Sequence, residues 1–266
     1  MIVRLAGGLG NQIFQFGAAL YLSNVKNQQK IQLDISALGL YDVKREFELD
    51  SFFDLKKVNI TAKKSFLLNL RLPVHFAFPI ACWPLVGDKN FSYVKNCTQD
   101  FPMLLDGYFQ TCLSQFDFDH ISKNLKNIMS HDLLKERKNT CVIHVRGGDF
   151  VDLGWSELTP KDYYLNAINL MKEKNKVNSF IVVTDDIDYA KSIIPYEKVN
   201  FDFQSNNMVD DFKMLASSSN RILSASTFSL WASALGVNSS GCIVLAPREF
   251  TPGVSRNFLL PNEIRM

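Results

Sequence analysis

The densest chemical signal in this chain is His144-Val145-Arg146-Gly147-Gly148-Asp149-Phe150. The run leading into it, from Thr140 to Arg146, is apolar at Cys141, Val142 and Ile143, the pattern of a strand buried on both faces. Side chains two apart on a strand share a face, so His144 and Arg146 point one way and Val145 the other. The paired glycines let the backbone come close to a ligand and turn N–H groups toward oxygen. A guanidinium in that place suits a phosphate, because its planar fork gives paired, charge-assisted hydrogen bonds. A buried arginine closed on Asp149 over a glycine turn is the other arrangement that would use these residues.

A second signal is Ser224-Ala225-Ser226-Thr227-Phe228-Ser229, which reads as strand, hydroxyl-rich turn and helix start. The first N–H groups of a helix and its partial positive charge form an anion site. Hydroxyls on Ser226, Thr227 and Ser229 would add donors, and plain N-capping would use the same residues. A third signal, Gly7-Gly8-Leu9-Gly10-Asn11-Gln12, falls short of the dinucleotide fingerprint because Ile13 stands where a small residue belongs. Asp34, after the next strand, does match a ribose-binding acid. The absence of Gly-Lys-Ser/Thr excludes a P-loop. In the fourth, Thr184-Asp185-Asp186-Ile187-Asp188, acids follow a strand. They could hold a metal-bound diphosphate, cap the next helix, or pair with guanine N1–H and N2–H; Asp211 is a second candidate for the guanine.

Such residues need strands that end where helices begin. Ile2–Ala6 reads as a strand, Gly7–Gly10 as a turn, and a helix follows with Ile13, Phe14, Gly17, Ala18 and Tyr21 on one face. Ile31–Ile35 is the next strand, and residues 39–100 read as mixed loops and helices. A short strand is expected to end at Gly107–Gln110, ahead of a polar helix from about Phe116 to Leu134. The polar run Lys135–Asn139 marks a boundary between halves. Beyond Thr140–Arg146, a helix opens at Thr159-Pro160-Lys161-Asp162 with Tyr164, Leu165, Ile168 and Met171 inward. Strand Phe180–Thr184, a helix near Asp210–Ser217 and strand Ile222–Ala225 come next. Helix Ser226–Leu235, with Phe228, Trp231, Ala232 and Leu235 on one face, stops at Gly236, and strand Ile243–Ala246 closes the series. Alternating strand and helix builds α/β units on parallel sheets, whose ligands bind at strand ends.

Composition narrows the function further. Net charge is +2 with no basic block, so nothing argues for nucleic acid. No two of Cys82, Cys97, Cys112, Cys141 and Cys242 have zinc-site spacing, and an odd count without a framework points to a reducing compartment. With Met1–Leu5 reading directly as a strand rather than a leader, a cytoplasmic protein is expected. Ser65–Val86 is apolar, but Arg71, Pro73, Pro79 and Pro84 interrupt it, so a buried or surface-lying element is expected rather than a membrane span. Peripheral contact with the inner membrane face, and with a lipid-linked substrate near His75–Trp83, fits that composition.

Taken in order, GGLGNQIFQF at Gly7–Phe16, DGYFQ at Asp106–Gln110, HVRGGDF at His144–Phe150, VTDD at Val183–Asp186 and SASTFSLWASAL at Ser224–Leu235 resemble glycosyltransferase family 11, the α-1,2-fucosyltransferases. The resemblance covers nearly the whole chain. It implies a glycosyltransferase-B fold: two facing Rossmann-like domains with parallel sheets, 1–137 on the acceptor side and 138–266 binding GDP-fucose. It also implies an inverting transfer of L-fucose from GDP-β-L-fucose to a galactose hydroxyl, with no cofactor and no metal. The acceptor would be a galactose-terminated oligosaccharide or lipid-linked glycan, in O-antigen or capsule synthesis. The family's phosphate-binding arginine falls on Arg146, and its diphosphate-contacting turn on Ser226, Thr227, Phe228 and Ser229. Asn11, Gln12, His144, Asp186 and Asp211 join the donor-binding set, Asp149 is the candidate to take a proton, and Tyr108 and Gln110 lie on the acceptor side. Three positions depart from the family pattern: Gly147 replaces a second arginine, Ala225 an asparagine and Leu230 a tryptophan. The competing readings are a metal-dependent transferase using Asp185, Asp186 and Asp188, a nicotinamide oxidoreductase using the Gly8 turn and Asp34, and a non-catalytic glycan-binding protein.

Overall fold

A computed structural model describes residues 1–27, 30–39, 45–58, 60–64, 84–98, 101–129, 136–194 and 200–266. The chain divides into two compact units, Met1–Ser130 and His131–Met266. The segment His75–Trp83 lies outside the described residues, and no helix among those described is long and apolar enough to cross a membrane.

The first unit runs β1 (Ile2–Arg4), α1 (Leu9–Val25), β2 (Ile31–Asp34), β3 (Ile60–Lys63), β4 (Leu85–Val86), α2 (Phe91–Asn96), β5 (Leu104–Leu105) and α3 (Gln115–Asn127). Its described strands form one sheet in the order β3-β2-β1-β5-β4, with every pairing parallel. Helix α1 buries nearly its whole circumference from Leu9 to Leu22, more than the single inward face expected of it. It touches the sheet at β1 and β2 and also packs on α3. A Cβ on Gly17 would lie 2.5 Å from Ile121 Cγ2, so glycine sets how closely α1 and α3 approach. Helix α3 starts on a capping box, in which Ser114 and Asp117 each accept the other's backbone N–H.

Several expectations for this unit need correction. Strands β3 and β4 occupy a region read as loops and helices, and β4 and β5 are too short to show an alternating pattern. The strand expected at Gly107–Gln110 is Leu104–Leu105. The chain has already turned at Gly107, and Phe109 sits at φ +56 with its side chain buried. The polar helix stops at Asn127.

The second unit runs β6 (Arg137–Val145), α4 (Asp149–Asp152), α5 (Lys161–Asn175), β7 (Ser179–Thr184), α6 (Ile187–Ile193), β8 (Asn200–Gln204), α7 (Met208–Ser217), β9 (Ser218–Ile222), α8 (Thr227–Leu235), β10 (Ile243–Ala246), β11 (Glu249–Thr251), β12 (Val254–Ser255) and β13 (Glu263–Arg265). Its main sheet is ordered β13-β10-β9-β6-β7-β8, again parallel throughout. In the unit's own count that is 3-2-1-4-5-6 read from β8, the doubly wound order. The winding reverses between β6 and β9, and in the first unit between β1 and β5. The expected class, parallel-sheet α/β units, is the observed one.

Here too several boundaries differ from those the sequence pattern predicts. Strand β9 ends at Ile222, where the sequence pattern places its start, because Ser218–Asn220 are polar yet paired along β6 and β10. Helix α5 begins at Lys161 with Pro160 as its cap, while the Thr159 hydroxyl accepts from the Tyr164 hydroxyl at 3.4 Å. Leu165 stays exposed and Ala167 takes the inward place. Gly236 ends α8 without a left-handed turn (φ −75); a Cβ there would strike the Ala216 and Ala232 carbonyls. Strand β8 and strands β11 to β13 carry no strong sequence signal.

One buried cation organises this half. The Arg221 side chain is fully buried and donates to the Leu215 carbonyl at 2.8 Å, the Ala216 carbonyl at 3.1 Å, the Ser233 hydroxyl at 3.2 Å and the Val237 carbonyl. These acceptors lie at or near the C-terminal ends of α7 and α8, where helices leave carbonyls unsatisfied and carry partial negative charge. Burial pulls the Arg221 pKa down to about 10, so it remains a cation.

Candidate active site

Strand β6 lies between β7 and β9, with Val145 opposite Thr184 and Ile143 opposite Ile222. The residues that follow β6 therefore meet the turn after β7 on one side and the turn after β9 on the other. This is the point where the winding reverses, the ligand edge of a doubly wound sheet.

Arg146 is the first residue past β6. Its Nη2 donates to Asp149 Oδ1 at 2.6 Å, and its Nη1 pairs with Asp185 Oδ2 at 2.5 Å. The Phe150 ring stands 5.5 Å from the guanidinium carbon and packs edge-on against Trp155. The arginine side chain keeps 23 % of its surface exposed, so an incoming anion can reach it. The pairing with Asp149 foreseen in the sequence is present, together with a second carboxylate from another strand.

The two glycines have separate reasons. Gly148 takes φ +49, which glycine adopts without strain. A Cβ on Gly147 would lie 2.5 Å from Asp186 Cβ and 3.2 Å from Tyr189 Cδ1. The position where the family usually carries a second arginine thus has no room here for any side chain.

The acid run after β7 divides its tasks. Asp185 Oδ1 accepts the Gly147 N–H at 2.8 Å while Oδ2 holds Arg146. Asp186 caps α6 by accepting the Tyr189 N–H at 2.9 Å, and its own N–H donates to Thr184 Oγ1 at 3.0 Å. Asp188 lies in the first turn of α6. Among the described residues, no three His, Cys, Asp or Glu side chains gather as a group that could hold a metal ion.

On the other side of β6, His144 Nδ1 meets Ser224 Oγ at 2.7 Å and its ring lies 5.5 Å from that of Phe228. Burial, reinforced by the charge of Arg146, pulls the imidazole down to about 3. His144 is therefore neutral and can offer a hydrogen bond without adding charge. Ser226 caps α8 by accepting the Phe228 N–H at 3.3 Å, and Thr227 and Phe228 are partly exposed at the helix start. Ser229 is fully buried, with its hydroxyl turned to the Ser226 carbonyl at 3.0 Å, so it serves the helix turn rather than the surface. Ala225 and Leu230, two of the departures from the family pattern, are both buried core residues. Asp211 lies on α7 beside Phe212, whose ring meets Phe228 edge-on at 5.5 Å. Its carboxylate accepts from the Asn206 side-chain amide at 3.0 Å, and burial raises its pKa.

The corresponding edge of the first unit gathers a smaller set. Gln110 Nε2 donates to Asn11 Oδ1 at 2.9 Å, which joins the first turn of α1 to the turn after β5. Arg4 and Asp106 form an ion pair at 3.1 Å along the same two strands. Tyr108 is 45 % exposed, and its N–H donates to Asp88 Oδ2 at 3.0 Å. Gln12, in contrast, is fully buried. Its amide donates to the Gly7 and Glu46 carbonyls at 3.1 and 2.8 Å and accepts the Glu48 N–H at 3.2 Å, so it braces the turn. Asp34 closes a local turn, accepting from the Ser36 N–H and hydroxyl at 3.2 and 2.6 Å.

The second unit thus brings His144, Arg146, Asp149, Ser226 and Phe228 to one sheet edge, while Asp186 and Ser229 are held in local capping bonds. Two residues emerge that the sequence did not single out for these tasks, Asp185 beside Arg146 and Ser224 beside His144. Both sit within motifs quoted above, but strand register, which the sequence leaves open, decides which motif meets which.

Comparisons with known proteins bear on the family and the fold. The profile of glycosyl transferase family 11 matches residues 2–252. The chain is 25 % identical over 293 residues to the O-antigen biosynthesis glycosyltransferase WbnK of Escherichia coli, covering 96 % of each chain. It is also 25 % identical over 282 residues to an α-1,2-colitosyltransferase of Escherichia coli, covering 97 % of this chain and 94 % of the relative. Among solved structures, POFUT1 in complex with GDP superposes with a TM-score of 0.51 at 13 % identity, covering 92 % of this chain and 97 % of the other. POFUT1 in complex with GDP-fucose gives 0.51 at 12 % identity with the same coverage.

Proposed function

This chain belongs to glycosyl transferase family 11, and on that premise we propose that it moves L-fucose from GDP-β-L-fucose to a galactose hydroxyl with inversion, as an α-1,2-fucosyltransferase of surface polysaccharide synthesis. The observation that carries this reading is Arg146, a partly exposed cation at the winding reversal of the second unit, with a neutral histidine and a helix start beside it. The relatives named for O-antigen synthesis and colitose transfer support the pathway class and make an activated colitose the second donor to try.

In this reaction the bond from fucose C1 to the β-phosphate oxygen breaks as C1 bonds to the acceptor oxygen. Negative charge grows on the departing GDP. Fixed donors aimed at that charge stabilise the transition state more than the ground state, each by roughly 3–4 kcal/mol by analogy with oxyanion holes. Arg146 and the backbone N–H groups at the start of α8 are the donors we assign to it, with no metal. Asp149 is the group we assign to the acceptor proton, Asp211 to guanine, and Asn11, Tyr108 and Gln110 to the acceptor side. We assign the reaction to the cytoplasm, on a lipid-linked or free galactose-terminated glycan.

The test is GDP release from GDP-fucose in EDTA, with and without lactose. Release that lactose stimulates, that EDTA leaves intact and that falls at least about a hundredfold in Arg146→Ala is the expected result. An undiminished rate in Arg146→Ala overturns the assignment, and loss of all activity in EDTA revives the metal-dependent reading.

A further inference from the structure

We propose that Asp185 is a positioning residue of this site. It locks Arg146 to the sheet in the orientation that receives the donor diphosphate. The inference rests on the function proposed above and gives Asp185 a task different from the metal, capping and guanine roles its motif suggested.

The geometry carries it. One carboxylate makes two bonds to one loop: Oδ2 to the Arg146 guanidinium at 2.5 Å and Oδ1 to the Gly147 N–H at 2.8 Å. Asp149 bonds the same arginine but lies three residues along the same segment, so it moves with the loop it would have to restrain. Asp185 stands on the turn of a different strand. That turn is itself fixed, because Thr184 Oγ1 and the Asp186 carboxylate tie it to the start of α6. The glycines allow the approach: a Cβ on Gly148 would lie 3.3 Å from Asp185 Oδ2, and one on Gly147 would run into Asp186. An arginine has five N–H groups, so pairing one on each terminal nitrogen leaves others for a phosphate. A cation whose direction is set before the ligand arrives loses less on binding and stabilises developing charge better than a mobile one.

A double-mutant cycle in the full chain tests this, with Asp185→Asn, Arg146→Ala and the combination. Asparagine keeps an acceptor for the Gly147 N–H and removes the charge that holds the arginine. The expected result is a fall in kcat of about tenfold or more for Asp185→Asn alone, and less than about twofold further loss when it is added to Arg146→Ala. Equal losses in both backgrounds would mean that Asp185 only supports the fold, and an unchanged kcat would mean that Arg146 is oriented without it; either overturns the proposal. Should Asp185→Asn prove too unstable to assay, Asp185→Ser enters the same cycle under the same criterion. GDP titration calorimetry on the four proteins reads the coupling independently of turnover. A wild type that binds GDP but does not consume GDP-fucose would sink the functional reading, while the coupling in GDP affinity would still support or overturn the role of Asp185.

Discussion

At the scale of single residues, this site depends on what its neighbours leave room for. Gly147 occupies a position usually held in the family by an arginine, yet Asp186 and Tyr189 fill the space a side chain would need. Gly147→Ala is therefore expected to push the loop off the 184–186 turn and break the Asp185 bond to the Gly147 N–H. Overpacking of this kind costs about 1–3 kcal/mol. Because the strained loop carries Arg146, we expect kcat to fall by about tenfold or more while the melting temperature changes by only a few degrees. Steady-state kinetics beside thermal melts check this; a variant with full activity would mean that the loop has space the geometry denies it. The candidate residues here are legible in the sequence, since His144, Arg146, Asp149 and the Ser226 turn are marked by residue type alone. Asp185 was not legible as a partner of Arg146, because adjacent acids after a strand look alike until one of them is seen capping a helix.

At the scale of elements, packing needs decided most of the boundaries. The sequence places helix α8 almost to the residue because its apolar spacing and its serine start are strong signals. Strand β9 begins earlier than its apolar residues suggest because a strand flanked by parallel neighbours can begin on Ser218 and Asn220, whose polar atoms find partners in the sheet and at the end of α5. Arg221 on that strand shows the same rule at higher stakes. It gathers carbonyls near the ends of α7 and α8 in a region sealed from water. Arg221→Met would keep the bulk and abandon those acceptors, each a buried polar group costing about 1–3 kcal/mol when unpaired. A loss of at least about 3 kcal/mol is expected in urea titration. A loss under about 1 kcal/mol would show that water or a shifted side chain replaces the arginine without difficulty.

At the scale of the whole molecule, each of the two parallel sheets reverses its winding beside its own first strand, and each places its polar candidates at that point of reversal. The anion-seeking groups belong to the second unit, whereas the first offers Asn11, Tyr108 and Gln110. GDP alone should therefore slow amide exchange in residues 141–149 and 223–231 and leave β1 and β2 little changed. At a concentration one hundred times the dissociation constant, the slowing can approach a hundredfold for amides that exchange only from a state unable to bind. Hydrogen exchange read by mass spectrometry checks this. Protection confined to the first unit would move the nucleotide to the other sheet.

By itself the sequence determined the α/β class, the two halves and the residue types that could meet a diphosphate, because hydrophobic period, glycine turns and capping residues are local properties. It also carried the family, through five motifs in a fixed order. Only the tertiary structure decided which motifs touch. The parallel register of β6 with β7 and β9 sets Asp185 against Arg146 and Ser224 against His144. It also commits Asp186, Gln12 and Ser229 to internal bonds. A carboxylate or amide reads the same in sequence whether it faces a ligand or a backbone N–H, and only the contacts brought by distant strands distinguish the two.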